Sequence, residues 1–158
     1  MKRHFLIILF VLFQLSVYSQ SKKEVKKHKI KASAVSVIEN GKTIQESKTI
    51  FDANGNEVET TDYNKDGTIK VIHKYKYNSE GDEIQDDEYD SNNKLVEKKL
   101  IKYNSSKDKI EESYFDLAGK ATRKHLYVYD SKGLKIEKKI VDAEGKITSI
   151  KKYVYITK

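Results

Sequence analysis

The sequence predicts an all-β protein, an antiparallel meander of β-hairpin repeats in which a 26-residue unit supplies two strands. Three observations carry this. Phe51, Tyr77, Tyr103, Tyr129 and Tyr155 stand 26 residues apart, and Tyr63, Tyr89, Phe115 and Val141 interleave with the same period. Every one of these positions except Tyr155 is followed by a four-residue cassette that opens on Asp or Asn and, in most repeats, ends on Gly. The segments between cassettes are seven to ten residues long, rich in Ile, Val, Thr and Tyr, and the chain has no proline. Short β-branched and aromatic runs bounded by such turns read as strands, and a fixed period of this length is the mark of a repeat architecture.

The first element is not part of the fold. Lys2 and Arg3 precede an unbroken apolar run from Phe5 to Phe13. A membrane span needs about 20 apolar residues, so residues 1–19 read as a secretory signal peptide, with Val17 and Ser19 at the cleavage site before Gln20. There is no cysteine. That excludes a lipoprotein cysteine, disulfides and thiolate metal sites. The expected location is secreted or periplasmic, with no stable membrane span after cleavage.

Residues 20–32 read as a basic, flexible linker: six lysines against Glu24 between Ser21 and Lys31. From Ala32 onward the chain carries 23 basic and 23 acidic residues. The overall charge of +7 is therefore not that of a basic domain, and nucleic acid lacks the electrostatic footprint it would need as a partner.

Residues 33–158 form the β-hairpin repeat domain. Asn40-Gly41 is the dipeptide of a two-residue type I′ hairpin. In the cassettes Asp or Asn closes a type I turn through its own side chain, and the fourth residue takes positive φ. Gly55, Gly67, Gly81, Gly119, Gly133 and Gly145 fill that fourth place. Asn93 replaces it with a residue that visits this region cheaply. Lys107 is the exception, and its turn is expected to be strained or differently shaped. Ten strands result, alternately short and long, in an open twisted sheet. A closed up-and-down barrel is the alternative.

Pairing Tyr63 with Ile69 and continuing without interruption sets the expected register. One face then carries His73, Tyr75, Tyr77, Tyr103, Tyr127, Tyr129, Tyr153 and Tyr155 around a polar middle of Glu59, Gln85, Asp87, Glu111 and Lys99. The same register sets Asp62 opposite Lys70, Asp86 between Lys74 and Lys98, and Glu112 opposite Lys124.

"YVYDSKGLKIEKKIV" and "YNSEGDEIQDDEYDSNNKLVEK" resemble the YD repeats of Rhs-type secreted proteins, whose motif is Tyr-Asp-x-x-Gly before a short strand. The resemblance covers roughly residues 51–155, is looser at Asn64, Asn78 and Asn104, and loses Gly at Asn93 and Lys107. It implies an exported β-rich shell or a cell-surface binding piece, and carries no catalytic residue across. The chain is less similar to MORN-like repeats, whose paired glycines it lacks.

Chemistry-bearing motifs are sparse. All seven glycines are turn residues, leaving none for a phosphate loop. Asp62, Asn64, Asp66 and Gly67 match the start of a calcium loop, but position twelve is His73 and not the bidentate Glu. His73 and His125 fall about 19 Å apart at about 4.8 Å per strand, too far to share a metal, and read as surface ion pairs. Neither a metal nor a cofactor is expected. The acidic run from Glu80 to Asp90 admits a carboxylate hydrolase centred on Asp86 and Asp87, but that chemistry needs a walled cleft.

The possible binding surface is the set Tyr75, Tyr77, Tyr103, Tyr127, Tyr129, Tyr153 and Tyr155, since aromatics beside carboxylates stack on sugars or anchor proteins. The reading is thus a non-enzymatic interaction or structural module of the cell envelope or extracellular space. Its partner would be an unknown protein or glycan at the cell surface. The alternative is a carbohydrate-binding surface using the tyrosine rows.

Overall fold

The computed structural model describes residues 21–156, so the expected signal peptide lies outside the described residues. A short helix, α1 (Lys22–His28), leads into β1 (Ala32–Glu39) and β2 (Lys42–Phe51). The repeats follow as β3 (Glu57–Tyr63), β4 (Ile69–Tyr77), β5 (Glu83–Tyr89), β6 (Leu95–Tyr103), β7 (Lys109–Phe115) and β8 (Ala121–Tyr129). Then come β9 (Lys135–Asp142) and β10 (Ile147–Lys152). All ten strands form one sheet in chain order, every neighbouring pair antiparallel. β1 and β10 do not pair with each other, so the sheet is open and the barrel alternative is not realised.

The cassettes make the turns as their chemistry demands. The N–H of Asn64 donates to the Thr68 carbonyl at 2.8 Å, and that of Gly67 to the Asn64 carbonyl at 2.9 Å. The first side chain closes the loop: Asp130 Oδ1 accepts the N–H groups of Lys132 and Leu134, both at 2.9 Å. Lys107 sits at φ 66° in a turn with the same pattern, Asn104 Oδ1 accepting from Ser106 and Asp108. Its turn is therefore strained but not reshaped, since an L-residue with a Cβ is held in the left-handed region. Asn40 and Gly41 both have positive φ, as a type I′ turn requires.

One residue beyond each cassette turn the register slips. Tyr63 pairs with Ile69, but Asp62 pairs with Val71, leaving Lys70 extra. Ile84, Val96, Ile110, Thr122 and Ile136 are the extra residues of the hairpins that follow. A bulge of this kind breaks the alternation once and inverts which residues share a face beyond it. The expected pairings are corrected accordingly. Asp62 faces Val71, not Lys70; Asp86 lies between Tyr75 and Lys99, not Lys74 and Lys98; Glu112 faces His125, not Lys124.

The linker reading of residues 20–32 is corrected as well. Ser21 caps α1, its hydroxyl accepting from the Glu24 N–H, and Val25 is 1% exposed. The helix rests on the β2–β3 turn, where a Cβ on Gly55 would meet the Lys22 carbonyl oxygen at 2.5 Å. Seven residues do not hold a helix in water by themselves; burial of Val25 holds this one.

Among the described residues the sheet has no second layer. Ile101 and Tyr127 are the apolar side chains it buries, alongside Thr61, Asp87, Glu112 and Ser113. Burial therefore comes from long side chains on neighbouring strands lying over one another, repeat upon repeat, as in solenoids.

Candidate functional surface

The bulges decide what stands beside the tyrosines. Residues opposite one another in an antiparallel pair share a face. Tyr75 is opposite Asp86, Asp86 opposite Lys99, Lys99 opposite Tyr114, and Tyr114 opposite Arg123. Ile101, Glu112 and His125 form the next row. The polar middle of the tyrosine face is thus Asp86, Lys99 and Glu112. Of the expected set, Lys99 is there, whereas Glu59, Gln85, Asp87 and Glu111 stand on the opposite face.

Two networks occupy that middle. Asp86 accepts from His73 Nδ1 at 2.9 Å and from Lys99 Nζ at 2.7 Å, and Lys99 lies 3.6 Å from Glu83. Burial alone would raise the Asp86 pKa, but the two hydrogen bonds outweigh it and hold the carboxyl below its usual range. The same bond to Asp86 raises His73 against the lowering effect of its burial.

Glu112 is the centre of the second network. Tyr127 donates to it at 2.6 Å and Tyr114 at 3.0 Å, and His125 Nδ1 and Lys109 Nζ also reach it. Burial opposes ionisation here too, yet these donors hold the carboxyl down to about 2. His125 is lowered, first by burial and then by the charge of Lys138, despite its bond to Glu112. Beside it Arg123 makes a two-pronged bond to Glu97 at 2.6 and 2.9 Å and lies 3.8 Å over the Tyr114 ring.

The tyrosines fall into two roles. Tyr77, Tyr103, Tyr129 and Tyr155 each donate the phenol O–H to a backbone carbonyl 20 residues earlier, of Glu57, Glu83, Lys109 and Lys135. The first three tie the end of a long strand to the start of the short strand before it, and Tyr155, beyond β10, ties to the start of β9. Tyr75 stacks on His73 at 6.0 Å and is pushed up to about 12, chiefly by burial. Tyr127 is 9% exposed, with Lys109, Lys135 and Lys138 over its ring at 5.0–5.6 Å. Lys135 also reaches the Tyr153 ring at 5.8 Å.

The other candidates separate. Asp86 and Asp87 point to opposite faces, so they do not form a carboxylate pair; Asp87 accepts from Gln85 at 2.6 Å. Asp66 of the calcium-like stretch is engaged by the Thr68 N–H and hydroxyl. Of the turn glycines, only Gly55 and Gly81 are crowded by other groups, both from α1. The sequence register sets Asp86 and Glu112 on the other face, and Tyr114 and Arg123 are the residues it does not single out. One signal marks the first two: His73, Asp86, Lys99, Glu112 and His125 recur every 13 residues, basic and acidic in alternation.

No family model matches the chain, and no curated protein matches it. Among solved structures it is similar to a Bacteroides fragilis protein of unknown function, at 13% identity and a TM-score of 0.47 over 80% of this chain and 96% of that one. It is similar to part of a GtfA/B complex bound to UDP and GlcNAc (13%, TM-score 0.32, 68% of this chain and 22% of that one). The third is a Staphylococcus aureus TarM mutant (16%, TM-score 0.29, 83% and 24%). The chain spans about a quarter of the length of these last two.

Proposed function

We propose that this is an exported, non-enzymatic repeat protein that serves as an interaction or structural module of the cell envelope or extracellular space. The observation that carries the reading is the commitment of polar side chains to the sheet itself. Phenols clamp carbonyls every 26 residues, and Asp86 and Glu112 each gather cations and hydroxyls from neighbouring strands. Such bonds spend reactive groups on making an extended, regular surface, which is what repeat scaffolds offer to partners. The resemblance of the turn cassettes to YD repeats and the apolar leader are in keeping with export. Fractionation of producing cells tests it, with mass spectrometry of the N-terminus. The expected result is a chain beginning near Gln20 outside the cytoplasm; recovery in the cytoplasm with residues 1–20 intact overturns the proposal.

A further inference from the structure

A groove of about 690 Å³ opens between α1 and the end of β2. Its floor is Ile30, Ile50 and Phe51, over the buried Val25. Its rim carries Lys26, Lys29 and Lys31. The acid beside them, Asp52, is already engaged by its own turn, accepting from the Asn54 and Asn56 N–H groups at 2.8 Å and from Asn56 Nδ2 at 2.7 Å. The backbone around the groove is also paired. Phe51 N–H donates to the Lys31 carbonyl at 2.9 Å, and Ile30 N–H to that of Val25 at 3.0 Å.

These features select a ligand chemistry. A concave, apolar-lined volume of this size suits one small molecule with few polar groups. With the Ile30 and Phe51 N–H groups already bonded, the groove offers no open strand edge there to an extended peptide, and a recess does not offer the protruding apolar face with which proteins enter a bilayer. Three lysines against the one carboxylate of Asp52, which its turn keeps ionised, leave a net positive lining that calls for a single anionic head. We propose that the groove binds a free fatty acid of medium chain length, its alkyl chain on Ile30, Ile50 and Phe51 and its carboxylate among Lys26, Lys29 and Lys31.

Calorimetry with decanoate, dodecanoate and tetradecanoate on the purified protein tests this. Affinity is expected to rise about fourfold per added methylene. Dodecyltrimethylammonium should bind at least about tenfold more weakly, because its cationic head meets the lysines that a carboxylate would pair with. Ala53→Glu, which sets a carboxylate at the groove's exposed mouth, and Lys31→Glu should each weaken dodecanoate about tenfold while leaving the circular dichroism spectrum unchanged. Absence of binding, equal binding of the cationic amphiphile, or unaltered binding by both folded variants overturns the proposal. So does co-sedimentation with phosphatidylglycerol vesicles by a protein that ignores dodecanoate, which would make the surface a membrane contact.

Discussion

Gly55 and Gly133 hold nearly the same backbone, φ +80° and +76°, in equivalent turns three 26-residue repeats apart along the same rim. Their surroundings differ. A Cβ at Gly133 meets nothing within 4 Å, whereas at Gly55 it would strike the Lys22 carbonyl at 2.5 Å and the Lys26 nitrogen at 3.3 Å. Gly133→Ala should therefore cost about 1–2 kcal/mol, the left-handed strain alone, and Gly55→Ala about 3 kcal/mol once collision is added. Lys107→Gly should stabilise by about 1 kcal/mol, because its ion pair with Glu80 is exposed on both sides and contributes little. Urea denaturation ranks the three, and a different order would refute the turn assignment. The charged rows add a pH dependence. Glu112 is held below its unfolded value, so its contribution is complete above about 4.5 and fades as the pH falls toward about 2. His73 is raised, so its contribution is complete below about 6.5 and fades as the pH climbs through the raised value. Denaturation midpoints measured across pH should show both limbs. Glu112→Gln should flatten the acid limb and His73→Gln the other; limbs unchanged in the variants would mean other groups carry them.

α1 shows what a short element owes to a single contact. Six lysines surround Val25 in residues 21–31, so composition reads as a solvated tail, and only the docking on Gly55 makes it a helix. Val25→Asp would bury an unpaired charge, which the helix avoids by leaving its site. Amide exchange should then lose all protection between Glu24 and Ile30 while the sheet melts within a few degrees of the parent protein. Loss of protection throughout the sheet would show instead that α1 supports the fold. The strands teach a related lesson. Their number, order and turns follow directly from Asp-x-x-Gly spacing, since those turns depend on local side chains. The register does not, because the extra residues of the bulges, such as Ile84, Ile110 and Ile136, are β-branched and read as ordinary strand. Each is nevertheless more than a third exposed. An uninterrupted register consequently inverts the faces of the short strands beyond each bulge, and sets Asp87 and Glu111 in the polar middle where Asp86 and Glu112 stand. The tyrosine rim was legible because it lies before the slip.

The sheet behaves as a stack of 26-residue units only if removing one leaves the rest able to close. Deleting Tyr103–Val128 joins Lys102 to Tyr129, which brings β6 against β9. By the period, Lys102 takes the place of Val128 opposite Glu137, Ile101 that of Tyr127 opposite Lys138, and Leu100 that of Leu126 opposite Lys139. Tyr129 then stands where Tyr103 stood and can donate to the Glu83 carbonyl, preserving the clamp. The Asp86–Lys99–His73 network is untouched. The Glu112 network and the Arg123–Glu97 pair are lost, so the shortened chain should fold with one unit's share of stability missing. Deleting only Tyr103–Phe115 removes β7 and the strand direction it supplied. β8, formerly parallel to β6, must then run antiparallel to it, a long strand against a long strand. The carboxylates of Glu111 and Glu112, which separate Lys99 and Lys102 from Lys124 and His125, vanish with β7, and like charges directly across a ladder oppose pairing. That chain should aggregate or melt without cooperativity. Circular dichroism and thermal melts compare the two directly. Cooperative melting by the 26-residue deletion alone is the expected outcome, and equal behaviour would show that single strands, not strand pairs, are the units of this fold.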